Sequence, residues 1–324
     1  MKILITGGAG FIGFHLASLL ISQGHYVDLI DIIDKSNFDK ELKLLIENKN
    51  CQYFKLNLLE NKETQNLKKD YNFIIHLAAI VGVENVMSNS YGVLTYNQLM
   101  LSNIIEFAKS TNKKPKLIFT STSEVYAGSQ FLNKIIYPTP EDNILSLPDL
   151  SHPRTSYMLS KIYGEAMCHT SGLDYLILRP HNIYGPRMGM KHVIPQLIHK
   201  IINTEKKGKL DLYSPDHTRT FCYVTYAIEK IADFINSEWS NGTFNLGVDE
   251  PEIKIRELAS LLLKITNRED ITLNELENTP GSPSRRVPDI SRLNNKTKKS
   301  KIPSLTEGIT QTYNWYSDWL LNNV

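Results

Sequence analysis

Thr6-Gly7-Gly8-Ala9-Gly10-Phe11-Ile12-Gly13 joins the β-branched run Lys2–Thr6 to a helix-like run, Phe11–Gln23, that Gly24 closes. The stretch satisfies Gly-x-Gly-x-x-Gly through Gly8, Gly10 and Gly13. It satisfies Gly-x-x-Gly-x-x-Gly through Gly7, Gly10 and Gly13. Glycine is needed in such a turn because the backbone takes angles that a Cβ resists. The chain must also come close to a pyrophosphate, which the positive end of the following helix attracts. A strand before the pattern and a helix after it are the setting in which it binds dinucleotides.

Outward from the turn, Tyr26–Asp31 is a second strand-like run, and Asp31 ends it. An acid at that place accepts hydrogen bonds from both ribose hydroxyls and repels a 2′-phosphate. The nearest base is Lys35, so NAD is predicted over NADP. Further strand candidates are Cys51–Leu56, Phe73–Leu77, Leu117–Ser121 and Tyr175–Arg179. Helix-like runs cover Tyr91–Lys109 and Thr155–Thr170. Strands alternating with helices predict an α/β protein with a Rossmann-type, doubly wound parallel sheet. Periodicity weakens after Pro180, where proline and glycine are dense. Helices at Val224–Asn236 and Ile255–Thr266 and a strand at Thr243–Gly247 follow. The expected division is residues 1–180 for the cofactor and 181–324 for a smaller mixed α/β substrate domain, some segments returning to the first. Ala127–Leu150 is long enough for a substrate lid or a plain surface insertion.

The 324 residues are 41% hydrophobic and 22% charged, the balance of a globular chain. Net charge is 36 − 34 = +2, too small to point to nucleic acid or a membrane surface. Cys51, Cys168 and Cys222 are widely spaced and show neither a disulfide framework nor a metal spacing. The nine histidines show no metal spacing either. The chain starts with no charged leader and apolar run, and no stretch approaches the ~20 apolar residues of a membrane span. A cytoplasmic protein without metal is expected.

Tyr157-Met158-Leu159-Ser160-Lys161 places a phenol and an ammonium at i and i+4, on one helix face. A phenol near its ordinary pKa of about 10 is a poor base at neutral pH. A nearby ammonium, with a positive nicotinamide, lowers it. The phenolate can then take a hydroxyl proton as hydride leaves the same carbon. Thr120–Glu124 ends the preceding strand, and a hydroxyl there can orient the reacting oxygen.

With these pieces the chain resembles the extended short-chain dehydrogenase/reductase family, in particular its nucleotide-sugar epimerase, dehydratase and decarboxylase group. The likeness runs in order through Thr6–Gly13, Asp31, His76–Ala79, Asn97, Ser121–Tyr126, Tyr157/Lys161, Arg179–Pro186, His217–Phe221 and Arg285–Ile290. It implies Thr122, Tyr157 and Lys161 as catalytic residues, with Glu124 handling a sugar carbon proton. It implies contacts to NAD from Gly7, Gly10, Phe11, Ile12, Gly13, Asp31, Asn57, Leu58, Leu77, Ala78 and Ala79, besides Tyr157 and Lys161. Asn97 would support the active-site backbone. Ser123 and Asn182 would meet the nucleotide sugar, and Arg219 and Arg286 would clamp its diphosphate. Asn57 stands where the family has Asp at the adenine, and Ala127 replaces a glycine.

Members of the group share an opening step, transfer of hydride from sugar C4 to NAD. The 4,6-dehydratases carry Asp-Glu after the threonine. Here the pair is Ser123-Glu124, and a serine is a poor proton donor, which argues against dehydration. Thr122–Tyr126 with Pro153-Arg154 is closest to UDP-glucuronate decarboxylases, yet the stretch after Pro186 is shorter than theirs. The expected reaction is epimerase-type and redox-neutral, with decarboxylation next and dehydration third. A reductase or dehydrogenase with exchangeable cofactor and a non-enzymatic cofactor sensor are the rival classes. The resemblance also implies a homodimer through the helices at 91–109 and 155–170.

Overall fold

The computed structural model describes residues 1–238, 241–279 and 282–323. Its strands are β1 (Lys2–Thr6), β2 (Tyr26–Asp31), β3 (Cys51–Lys55), β4 (Phe73–His76), β5 (Lys116–Thr120), β6 (Tyr175–Pro180), β7 (Ile183–Tyr184), β8 (Lys209–Tyr213), β9 (Thr218–Arg219), β10 (Cys222–Tyr223), β11 (Gly242–Leu246), β12 (Ile253–Lys254), β13 (Thr272–Leu276) and β14 (Arg285–Arg286). Seven of them form one sheet in the order β11-β6-β5-β4-β1-β2-β3, every neighbour parallel. Ile3, Leu4, Ile5, Ile74, Ile75, Leu117 and Ile118 are fully buried in it. Side chains on both faces of the sheet are covered by helices, so these strands are apolar runs rather than alternating ones.

The helices are α1 (Phe11–Ser22), α2 (Lys40–Ile46), α3 (Asn61–Gln65), α4 (Val83–Ser88), α5 (Ser90–Lys109), α6 (Ala127–Phe131), α7 (Pro153–Thr170), α8 (Val193–Asn203), α9 (Val224–Ile235), α10 (Ile255–Ile265), α11 (Ser291–Lys296) and α12 (Leu305–Asn323). Strand order reverses between β1 and β4, which opens a crevice at the carboxyl ends of the strands. The glycine turn, Asp31, Leu77–Ala79, Thr122 and His181–Asn182 all follow strand ends on that edge.

The doubly wound sheet is as expected. β11 lies in the second half of the chain and pairs with β6, so residues 242–246 complete the first sheet. The two-residue strands β7, β9, β10, β12 and β14 leave no periodic signal, and the sequence did not show them. Residues 127–150 are docked rather than loose. Arg179 donates to the Glu141 carbonyl at 2.9 Å, the Glu141 carboxylate accepts from Asn245 N at 2.8 Å, and Thr139 bridges Pro288. No helix among the described residues is long and apolar enough to cross a membrane.

Candidate active site

α1 begins at Gly10 with no side-chain cap and no acid in its first turn. Its end N–H groups are therefore left for an anion. Gly7 has φ +68°, and a Cβ there would lie 2.9 Å from Ala78 N; a Cβ on Gly13 would lie 2.4 Å from the Gly7 carbonyl. The turn thus closes against the strand end that carries Leu77, Ala78 and Ala79, and Phe11 and Ile12 open the helix half-buried. Asp31 accepts from Ala9 N at 3.1 Å and Ile32 N at 2.8 Å. Burial raises its carboxyl, and these backbone donors only partly offset it. Asn57 is exposed and accepts from Leu59 N at 3.1 Å. Leu58 is buried, its carbonyl held by Asn103 at 2.8 Å. This cradle, with space only for glycine and an acid at the ribose position, fits NAD, which when bound supplies the hydride acceptor.

His76 is a support. Its Nδ1 lies 2.9 Å from Thr6 Oγ1, which accepts from Ala78 N at 3.2 Å. Burial, aided by Lys161, pushes it down to about 3, so the ring is neutral. Asn97 accepts from Ile80 N at 2.8 Å and donates to Ile80 O at 3.3 Å and Ser160 Oγ at 3.2 Å. It pins the loop after β4 to α7, the supporting role expected of it.

Thr122 caps a short turn through Ser123–Tyr126, its Oγ1 accepting from Glu124 N at 3.2 Å. α7 starts with Pro153 at its first positions. It brings Tyr157 beside Thr122, whose side chain hydrogen-bonds the phenol. The ammonium of Lys161 donates to the Thr120 carbonyl at 2.8 Å and lies 6.0 Å from the centre of the Tyr157 ring.

The protein alone does not lower the phenol; the expected lowering combines the ammonium with a positive nicotinamide. Burial pushes Tyr157 up to about 12; the Thr122 bond and Arg286 pull it down, and the Glu124 charge pushes it up. Lys161 is aimed at a carbonyl instead, and burial takes its own pKa down to about 8 against the weaker pull of Cys168 and Glu165.

Glu124 accepts from Arg286 at 2.5 Å. Burial raises this carboxyl, but Arg286, with Arg154 and Arg219 further out, outweighs burial and holds it below its usual range. Arg219 is 8% exposed and donates to Thr218 O at 2.7 Å, to Ser282 Oγ at 3.4 Å and to Pro283 O. Burial first, then the charge of Arg286, pushes it down to about 9. Asn182 has φ +41°, and its amide donates to Thr220 O at 2.9 Å.

Sequence reasoning missed the scaffold behind these groups. Arg179 binds Glu165 through two bonds, 2.9 and 2.6 Å, and donates to Tyr126 Oη at 2.7 Å. Ser121 donates to the same carboxylate at 2.5 Å. Charged residues inside apolar strand and helix runs, Arg179 and Glu165, were the available signal, since such groups are buried only when paired.

The glycine turn, with Thr122 just past β5 and Tyr157 and Lys161 in the first half of α7, groups the residues expected of a short-chain dehydrogenase-type site. The model of the NAD dependent epimerase/dehydratase family matches residues 3–247. A UDP-N-acetyl-alpha-D-glucosaminuronate decarboxylase of Bacillus cytotoxicus is 30% identical, over 98% of both chains. UDP-glucuronic acid decarboxylase 1 of Danio rerio is 30% identical over 98% of this chain and 72% of that one. The crystal structure of UDP-glucuronic acid 4-epimerase from Bacillus cereus, with UDP-glucuronic acid and NAD, superposes with TM-score 0.84 at 26% identity, covering 98% of this chain and 100% of that one. The chain belongs to the NAD-dependent epimerase/dehydratase family and is an NAD-dependent enzyme. Among the described residues no group of three His, Cys, Asp or Glu is placed to hold a metal.

Proposed function

We propose that this enzyme oxidises C4 of a nucleotide-diphosphate uronate with bound NAD, then returns the hydride to the other face, a redox-neutral 4-epimerisation. The observation that carries it is Arg219. It is a buried guanidinium with no carboxylate in ion-pair range among the described residues, and Arg286 works against its charge. Arg286, its register partner across β9 and β14, is matched by Glu124, so the two guanidiniums share one carboxylate and leave an excess positive charge; a diphosphate matches their forks. Tyr157 would take the proton of the C4 hydroxyl as hydride leaves C4 for NAD, Thr122 would orient the oxygen, and Lys161 would hold positive charge below them. The names of the decarboxylase relatives and of the superposed epimerase share a UDP-uronate, which supports that substrate class.

Decarboxylation is the second reading. Ser123-Glu124 after Thr122, with Glu124 held as an anion by Arg286, supports it, as do the decarboxylase relatives. An ionised Glu124 serves as a base and not as an acid, against dehydration.

The first experiment is to purify the protein without added cofactor, denature it and identify what is released by mass spectrometry. Stoichiometric NAD or NADH supports a recycled cofactor; none supports a dehydrogenase with exchangeable cofactor. UDP-glucuronate is then supplied. A C4 epimer by NMR supports the first reading, and released carbon dioxide with a UDP-pentose the second. Tyr157→Phe should abolish both. We also propose a homodimer through α5 and α7, where Tyr91 and Tyr163 are 77% and 55% exposed; light scattering in solution tests it.

A further inference from the structure

His181 follows β6 and lines a cleft that also meets Ser123, Ala127, Ile135, Tyr137 and Arg286. Through Ser123 and Arg286 this cleft adjoins the reaction centre. The imidazole is 1% exposed, and its Nδ1 has no hydrogen-bond partner among the described residues. Buried polar atoms of this kind are rare and call for an explanation.

The neighbouring groups fix which nitrogen holds the proton. His181 Nε2 lies 3.1 Å from Asn245 Oδ1. The Asn245 amide cannot be turned round, because its Nδ2 donates to the carbonyls of Thr139 at 2.9 Å and Asp289 at 3.0 Å. Tyr126 Oη accepts from Arg179 and gives its own proton to the same Asn245 oxygen at 2.8 Å. That oxygen can only accept, so Nε2 carries the hydrogen. Burial, then the charges of Arg286 and Arg179, push the ring down to about 3 against the Asn245 bond. The ring is neutral, and Nδ1 keeps a lone pair. A chain of bonds from Glu165 through Arg179, Tyr126 and Asn245 therefore holds a hydrogen-bond acceptor at the cleft wall.

We infer that His181 is a specificity-determining residue whose Nδ1 accepts a hydrogen bond from an uncharged donor, a hydroxyl or an amide N–H, on the hexose. The inference rests on the nucleotide-uronate reading. In a uronate the C4 hydroxyl is the reacting group, and the C6 carboxylate has no proton to give at neutral pH. The donors left are the substituents at C2 and C3. A lone pair also repels a carboxylate, which turns C6 away from this wall. Ser123, on the same cleft wall, adds a hydroxyl that can donate. An acetamido group would use both, its N–H on His181 and its carbonyl on Ser123.

The test is calorimetric binding to the NAD-loaded full chain of UDP, UDP-glucuronate, and the 2-deoxy and 3-deoxy analogues of UDP-glucuronate. One deoxy analogue should bind wild type about tenfold more weakly than UDP-glucuronate. His181→Phe should lose the same factor for UDP-glucuronate and no longer distinguish that analogue, while UDP binds both proteins alike. The effect should fall on KM rather than kcat. Should His181→Phe fail to fold, nitrogen NMR of wild type decides: the Nδ1 resonance of His181 should move with UDP-glucuronate and stay with the weaker analogue. Equal binding of both analogues to wild type, or a His181→Phe enzyme that still discriminates, overturns the inference. If wild type binds UDP and not UDP-glucuronate, the uronate reading itself falls and takes the inference with it. A stronger signal from UDP-N-acetylglucosaminuronate than from UDP-glucuronate would identify the donor as the amide.

Discussion

Arg286 reaches across 162 positions of sequence to donate to Glu124 at 2.5 Å, two residues past Thr122, the threonine that caps the turn after β5. The pair joins the carboxyl end of β5 to β14, and so two distant parts of the chain.

If Glu124 handles a proton on a sugar carbon, Glu124→Gln should still let substrate reduce the bound cofactor, seen as reduced-nicotinamide absorbance. The later step should slow by about 10²–10⁴-fold, the usual contribution of a positioned acid or base. Full turnover in that variant would remove Glu124 from the chemistry and leave it a clamp for Arg286.

Lys161 sets an alkaline limit. Its folded pKa is pushed down to about 8 from 10.5, chiefly by burial. The ammonium is present below that value and lost above it. kcat/KM should therefore fall about tenfold per pH unit once the pH passes about 8. A profile flat up to pH ~10 would contradict the assignment.

Arg219 should trade stability for binding. Its charge is buried without an ion-pair partner among the described residues, and Arg286 opposes it. Arg219→Met should stabilise the ligand-free protein by about 1 kcal/mol or more, since an apolar chain of similar volume escapes the desolvation penalty. The same variant should bind UDP at least about tenfold more weakly. Denaturant unfolding and calorimetry check the two halves separately, and a loss of stability would mean that Arg219 holds the fold instead.

Glu165 and Arg179 are a different kind of pair, both under a tenth exposed and 2.6 Å apart. Removing one charge leaves the other buried, so Glu165→Gln should destabilise by about 3–5 kcal/mol. Chemical denaturation monitored by tryptophan fluorescence measures it. A change below about 1 kcal/mol would show that water or a neighbour replaces the carboxylate.

The parts of this molecule that were legible in sequence are the local ones. The glycine turn, Asp31 and the helix faces of Tyr157 and Lys161 announce themselves within a few residues, because backbone geometry and helical spacing act at short range. α1 and α10 end within a residue of where periodicity places them. The tilt of the site's electrostatics was not legible. Tyr157 is raised by burial, and no pattern around Tyr157-x-x-x-Lys161 tells how deep α7 lies. Arg286 finding Glu124, and Asn245 fixing the proton of His181, depend on loops that meet only after the sheet is complete. β14 and β9, two residues each, are too short to show any alternation.

The pairing of β11 with β6 has a consequence for synthesis on the ribosome. Until Leu246 has left the exit tunnel, β6 stands at the sheet border with its main-chain donors and acceptors unmatched, a template for a neighbouring nascent chain. Residues 1–180 therefore emerge without the strand that covers β6, although most domains fold in order of emergence. Cutting the gene near codon 180 would thus release six of the seven strands with the β6 border bare, rather than a finished sheet.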